Sequence, residues 1–140
     1  IQAIRGALED ASETADAVDY LNAHGTSTPM NDLSETNAIK EVFGDRAYGM
    51  AVSSTKSQMG HLIAAAGAVE GIICALAIER STAPMTANLT TPDPECDLDY
   101  VTEGCRSMQI DTAMSNSFGF GGSNSCLVFR SRGRAESRDT

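Results

Sequence analysis

Two stretches of this chain share one construction: a short apolar run, a turn rich in Gly, Ser and Thr that carries a histidine, and then a helical pattern. The first is Val18-Asp-Tyr-Leu-Asn22, followed by Ala23-His-Gly-Thr-Ser-Thr-Pro29 and a helix to about Phe43. The second is Ala51-Val-Ser-Ser54, followed by Thr55-Lys-Ser-Gln-Met-Gly60 and an apolar helix from about His61 to Arg80. Short runs bounded by turn chemistry read as strands. The repeated order strand, turn, helix predicts a layered α/β fold with parallel pairing, in which functional groups collect at the carboxyl ends of the strands. Both histidines fall there.

The flanking segments are less regular. Ile1, Ile4, Leu8 and Ala11 sit at helical spacing with no Met and no capping residue ahead of them, so the chain is expected to begin inside a helix and to be part of a longer protein. In the 29–43 region Asn31 or Asp32 can cap the helix, with Glu35 three residues after Asp32 as in a capping box, and Gly44 is placed to stop it. After a Pro/Asp-rich connection at Thr91 to Pro94, strands are expected at Leu98–Val101, Thr112–Ser117 and Cys126–Phe129, with Gly119, Gly121 and Gly122 interrupting the last two. From Ser131 the chain is polar and unpatterned, which predicts a disordered tail at 131–140 and one domain over 1–130.

Composition narrows the function classes. With 140 residues, 41% of them hydrophobic, the chain can bury one core. Its net charge of -9, with ten scattered Lys and Arg, argues against a nucleic-acid binder. Cys74, Cys96, Cys105 and Cys126 show no zinc-site spacing and no disulfide framework, and read as reduced, mostly buried thiols. The most apolar stretch, Leu62 to Ile78, carries Glu70 and two glycines and suits a buried helix better than a membrane span. With no signal peptide visible, the cytoplasm is the expected location.

The two histidines, His24 and His61, each lie beside a glycine, which removes a side chain and lets a substrate approach the ring. Either can be a hydrogen-bonded structural residue; their matched settings favour a site. If His61 opens the long helix, the positive helix end disfavours its imidazolium form, and Lys56 five residues earlier adds to that effect. A neutral ring would then donate an N–H to an oxyanion. Lys56 alone reads as a solvated amine, and Glu35 either as the helix cap or as the counter-ion that orients Lys56. Ser115-Asn-Ser-Phe-Gly-Phe-Gly-Gly-Ser-Asn124 is a strand end entering a glycine-rich turn whose N–H groups can bind a developing oxyanion, or else a sharp turn with two core aromatics. It lacks the order and the basic residue of a phosphate loop.

Together, His24-Gly-Thr-Ser-Thr-Pro, Ser54-Thr-Lys-Ser-Gln-Met-Gly-His61-Leu-Ile-Ala-Ala-Ala-Gly-Ala and Asn116-Ser-Phe-Gly-Phe-Gly-Gly122 resemble the signatures of β-ketoacyl-acyl carrier protein synthases, most closely the elongating type II enzymes of bacterial fatty-acid synthesis. The resemblance covers roughly Ile1 to Arg130. It implies a thiolase-like fold of two similar halves, of which this chain is the C-terminal αβα half, a mixed sheet with helices on both faces. It also implies that His24 and His61 assist malonyl decarboxylation and stabilise the enolate, with Lys56 supporting them and Glu35 the acidic residue near that lysine. Phe120 matches the gating aromatic whose N–H contributes to the oxyanion hole, Phe118 is its neighbour, and Gly119, Thr26 and Thr28 are supporting residues. No metal or organic cofactor is implied; substrates arrive on the phosphopantetheine of an acyl carrier protein.

The departure from the family is the acyl-accepting cysteine, which belongs to the other half and has no counterpart among the four here. The expected partners are therefore the N-terminal half of the same synthase and the carrier protein, in an enzyme that forms homodimers, and the fragment alone is expected to be inactive and to expose apolar surface. Other readings are a polyketide ketosynthase half, a non-catalytic chain-length subunit, against which both histidines speak, and a standalone binding module. A thiolase proper is disfavoured because its late Cys-x-Gly motif is missing.

Overall fold

The computed structural model describes residues 1–135. Helix α1 (Gln2–Asp10) leads through a 3-10 turn at Ala15–Ala17 into strand β1 (Tyr20–Asn22), and helix α2 (Pro29–Phe43) leads through a second 3-10 turn into β2 (Ala51–Ser53). Helices α3 (Lys56–Met59) and α4 (Ala66–Arg80) follow, then the short strands β3 (Thr82–Ala83) and β4 (Arg106–Ser107). Strands β5 (Thr112–Phe118) and β6 (Asn124–Arg130) and a helical turn, α5 (Arg132–Ala135), complete the order.

The main sheet runs β2-β1-β5-β6. Strand β1 pairs parallel with β2 and β5, and β6 returns antiparallel along β5, so the sheet is mixed. In register, Leu21 lies beside Val52 and Met114, and Tyr20 beside Ala51 and Ala113. Because neighbouring side chains on a strand point to opposite faces, these rows build two separate cores. Leu21, Val52 and Met114 pack with Ile4 and Leu8 of α1 and Ile39 and Phe43 of α2. Tyr20, Ala51 and Ala113 pack with Cys74 and Ala77 of α4. Helices therefore cover both faces, as the α/β reading requires.

Helix α4 approaches the sheet closely because its inner face is small. A Cβ on Gly71 would lie 3.1 Å from Phe129 Cζ, and one on Gly67 3.6 Å from Ser117 Oγ. Its outer face is apolar as well: Ile72 is 60% exposed, and Ile63 just before the helix 76%. No helix among the described residues is long and apolar enough to cross a membrane.

Several local expectations change. Helix α2 starts at Pro29 with Thr28 as its N-cap residue, so Asn31 and Asp32 lie inside it; proline suits the first turn because its missing N–H would have gone unused. Gly44, at φ 55°, ends the helix as expected. The single helix expected from His61 to Arg80 is broken into α3, a 3-10 turn at Ile63–Ala65 and α4, since Gly60 (φ 78°) and Ile63 (φ 51°) leave the right-handed helical region.

Leu98–Val101 forms no strand; Asp99 O accepts from Val52 N and Val101 O from Thr86 N, two single bonds without a ladder. The β3–β4 pair has two-residue strands, too short to show a period. In the segment expected to be a disordered tail, Ser131 N donates to Asp111 O and Arg132–Ala135 makes a helical turn; 136–140 lie outside the described residues. Of the four thiols only Cys74 is buried, Cys96 and Cys126 being intermediate and Cys105 exposed.

Candidate active site

The three parallel strands end on one edge of the sheet, and the turns that follow them carry nearly every residue singled out from the sequence. Beyond Asn22 the β1 turn presents His24, beyond Ser53 the β2 turn presents Lys56 and His61, and the end of β5 presents Phe118. The rings of His24 and His61 meet edge to face with centroids 5.4 Å apart and planes at 84°. The Phe118 ring also lies against the His24 ring, tilted by 53° with centroids 5.4 Å apart. Residues separated by up to 94 positions in the chain thus form one cluster.

His24 is held through its backbone. Its N–H donates to Glu35 Oε1 and the Gly25 N–H to Glu35 Oε2, each at 2.9 Å, while Asn116 Nδ2 donates to Oε1 at 3.0 Å. Burial raises the Glu35 carboxyl above its ordinary value, and these three N–H donors work against that shift. Glu35 therefore neither caps α2 nor pairs with Lys56. The partner of Lys56 is Glu70 on α4, in a direct ion pair whose two side chains are 5% and 2% exposed. Glu70 was invisible as a site residue because only the packing of α4 on the sheet brings it beneath the β2 turn.

The electrostatic expectation moves from one histidine to the other. His61 is exposed and sits in the turn between α3 and the 3-10 helix, not at the start of α4, so the helix-end argument does not apply to it. His24 is the perturbed ring: burial first, then the charges of Lys56 and His61, lower its pKa to about 4. At neutral pH it is uncharged. His61 Nδ1 accepts the Ile63 N–H at 3.1 Å, which in the neutral ring leaves the proton on Nε2 as a free donor. His24 Nδ1 is buried with no hydrogen-bond partner among the described residues.

Thr26 and Thr28, with hydroxyls 3.1 Å apart, line a cleft of about 540 Å³ together with Lys56, His61, Thr86 and Asn88. The glycine turn at the end of β5 reverses through Gly121 (φ 74°) and Gly122 (φ 80°), and the Gly119 N–H closes it by donating to Ser123 O. This turn places Phe118 in the cluster but leaves the Phe120 side chain fully exposed, away from the His24 ring. Asn22 Oδ1, Glu70 Oε2, Ser115 Oγ and Asn116 Oδ1 are also buried without a hydrogen-bond partner among the described residues. No thiol belongs to the cluster: Cys74 and Cys126 are pushed up to about 12, mainly by burial, and Cys96 lines the cleft wall. Two imidazoles in contact, beside a buried ion pair and an open cleft, make a site suited to stabilising a developing negative charge.

Known proteins resemble this chain in sequence and in fold. Residues 1–90 match the family described as "Beta-ketoacyl synthase, C-terminal domain". The chain is 58% identical over 125 residues to 3-oxoacyl-(acyl-carrier-protein) synthase 2 of Coxiella burnetii, covering 89% of the chain and 30% of that protein. It is 52% identical over 128 residues to nodulation protein E of Rhizobium meliloti, covering 91% of the chain and 32% of that protein. Among solved structures, a type II polyketide ketosynthase in complex with its acyl-carrier protein superposes with a TM-score of 0.90 at 45% identity, over 93% of this chain and 32% of that one. The chain thus spans about a third of the length of these proteins.

Proposed function

This chain belongs to the beta-ketoacyl synthase family, as its C-terminal domain with the thiolase-like fold, and on that premise we propose that it supplies the decarboxylation half of a condensing active site for fatty-acid elongation. The observation that carries this reading is the edge-to-face contact of His24 and His61 beside the buried Lys56–Glu70 ion pair.

The reaction is a decarboxylative Claisen condensation. A malonyl thioester on the carrier's phosphopantetheine loses CO2, and the electron pair of the broken C–C bond becomes an enolate with its charge on the thioester oxygen. His24 and His61 donate N–H groups to that oxygen, and Lys56, held by Glu70, keeps the local field positive. The enolate carbon attacks an acyl thioester on a cysteine, forming the new C–C bond and expelling the thiolate. That cysteine lies outside this chain, since none of its thiols joins the cluster. The N–H groups of the Phe120–Gly122 part of the turn face the acyl carbonyl in this reading, and Thr26 and Thr28 line the route of the phosphopantetheine. The chemistry calls for no metal or organic cofactor.

The exposed apolar residues of α4 and the turn before it support a further segment of the same protein packing there, since Ile63 and Ile72 in water would lose the benefit of burial. With this reading go a cytoplasmic homodimer and an acyl carrier protein as partner. A polyketide ketosynthase is the second reading, favoured by the high structural similarity to the polyketide enzyme.

The test is an assay of the full-length protein with acyl- and malonyl-carrier thioesters. Release of CO2 with formation of a 3-oxoacyl product is expected, with losses of about a hundredfold or more in His24→Ala and His61→Ala. An active His24→Ala/His61→Ala protein, or turnover by residues 1–140 alone, would overturn it. The preference between short saturated acyl groups and polyketone chains separates the two pathways.

A further inference from the structure

The strand pairing that aligns the two histidine turns stops short of them. Strand β1 ends at Asn22 and β2 at Ser53, and the Ala23 N–H to Ser53 O bond, 2.8 Å, is the last backbone link between the two. Past that point the spacing between the His24 turn and the Lys56–His61 turn depends on side chains. Ser54 Oγ donates to Gly25 O at 2.8 Å, immediately after His24. The two residues are in such close contact that a Cβ on Gly25 would lie 2.5 Å from Ser54 Cβ, and Gly25 has a φ of 38° that strongly favours glycine.

Ser54 is itself fixed. Its N–H donates to Thr86 Oγ1 at 3.1 Å, and its carbonyl accepts the Ser57 hydroxyl at 2.8 Å, while the Ala87 N–H donates to that same Ser57 oxygen. Its hydroxyl therefore leans on a pre-formed support, and it is 8% exposed. On the opposite side the His24 backbone is held by Glu35. Together the two contacts leave the turn no freedom to slide along the sheet edge.

We propose that Ser54 is a positioning residue of the condensing reaction, its hydroxyl clamping the Gly25 carbonyl so that His24 and His61 converge on one oxygen. The inference rests on the functional reading given above. Ser54 touches no reacting atom; it acts through the backbone that carries His24, and a small displacement of a donor costs rate far more than binding.

The experiment uses the full-length protein, parent and Ser54→Ala, assayed for malonyl-thioester decarboxylation and for condensation, with Tm measured on both. The expected result is a loss of about tenfold in kcat, the order of one hydrogen bond, with KM within about twofold and the protein still folded at the assay temperature. If Ser54→Ala does not fold, Ser54→Cys keeps the shape with a weaker donor and is expected to show a smaller loss in kcat alone. A variant with the parent's kcat, or one whose loss follows KM or the folded fraction, overturns the inference. A parent enzyme with no decarboxylation overturns the functional reading itself, and the role assigned to Ser54 with it.

Discussion

Lys56 donates directly to Glu70, a residue 14 positions on and carried by a different helix, and both side chains are buried. Two charges taken out of water hold each other in place, and removing either strands the other. Glu70→Ala and Lys56→Ala are each expected to destabilise the protein by about 3–5 kcal/mol, and the double variant by clearly less than the sum. Urea unfolding of the four proteins measures the coupling.

Glu35 accepts three N–H donors with two oxygens. Glu35→Gln keeps the size but turns one oxygen into a donor that faces other donors. At least one of the His24, Gly25 and Asn116 N–H groups then loses its acceptor in a buried place, at a cost of about 1–3 kcal/mol. A fall in the denaturation midpoint without change in the m-value is the expected outcome.

The pKa of His24, about 4 in the folded protein, lies below its ordinary value of 6.5. Between those values the unfolded chain binds the extra proton and the folded one does not, so acidification through this window takes stability away. Glu35, whose pKa is raised, acts in the opposite sense, and comparison with a variant isolates the histidine. The Tm of the parent should fall more steeply from pH 6.5 to pH 4 than that of His24→Asn. Equal slopes in the two proteins would remove His24 as the source.

Gly71 allows α4 to lie against Phe129, with only 3.1 Å between a would-be Cβ and the ring. Gly71→Val, despite moving away from a poor helix former, is expected to destabilise by about 1–3 kcal/mol through overpacking, while Gly6→Ala in α1, where nothing lies within 4 Å, should be neutral or stabilising. Thermal unfolding of both variants checks the contrast.

The sequence by itself determined the alternation of strands and helices with parallel pairing, and the matched turns that carry His24 and His61, because apolar periodicity and turn chemistry are local; the mixed sheet with both faces covered followed from the resemblance that the motifs carry. Family membership followed from the same three motifs. What only the tertiary structure decided was which charges meet. Glu35 and Glu70 both lie on helices as ordinary acidic residues; one turned to the backbone of the His24 turn and the other to Lys56 because α2 and α4 pack on opposite faces of the sheet. The break at Gly60 and Ile63 likewise moved His61 off the helix end, and burial beside Lys56 made His24 the perturbed ring. Ion pairing and desolvation depend on distances through space, and no period in the chain records them.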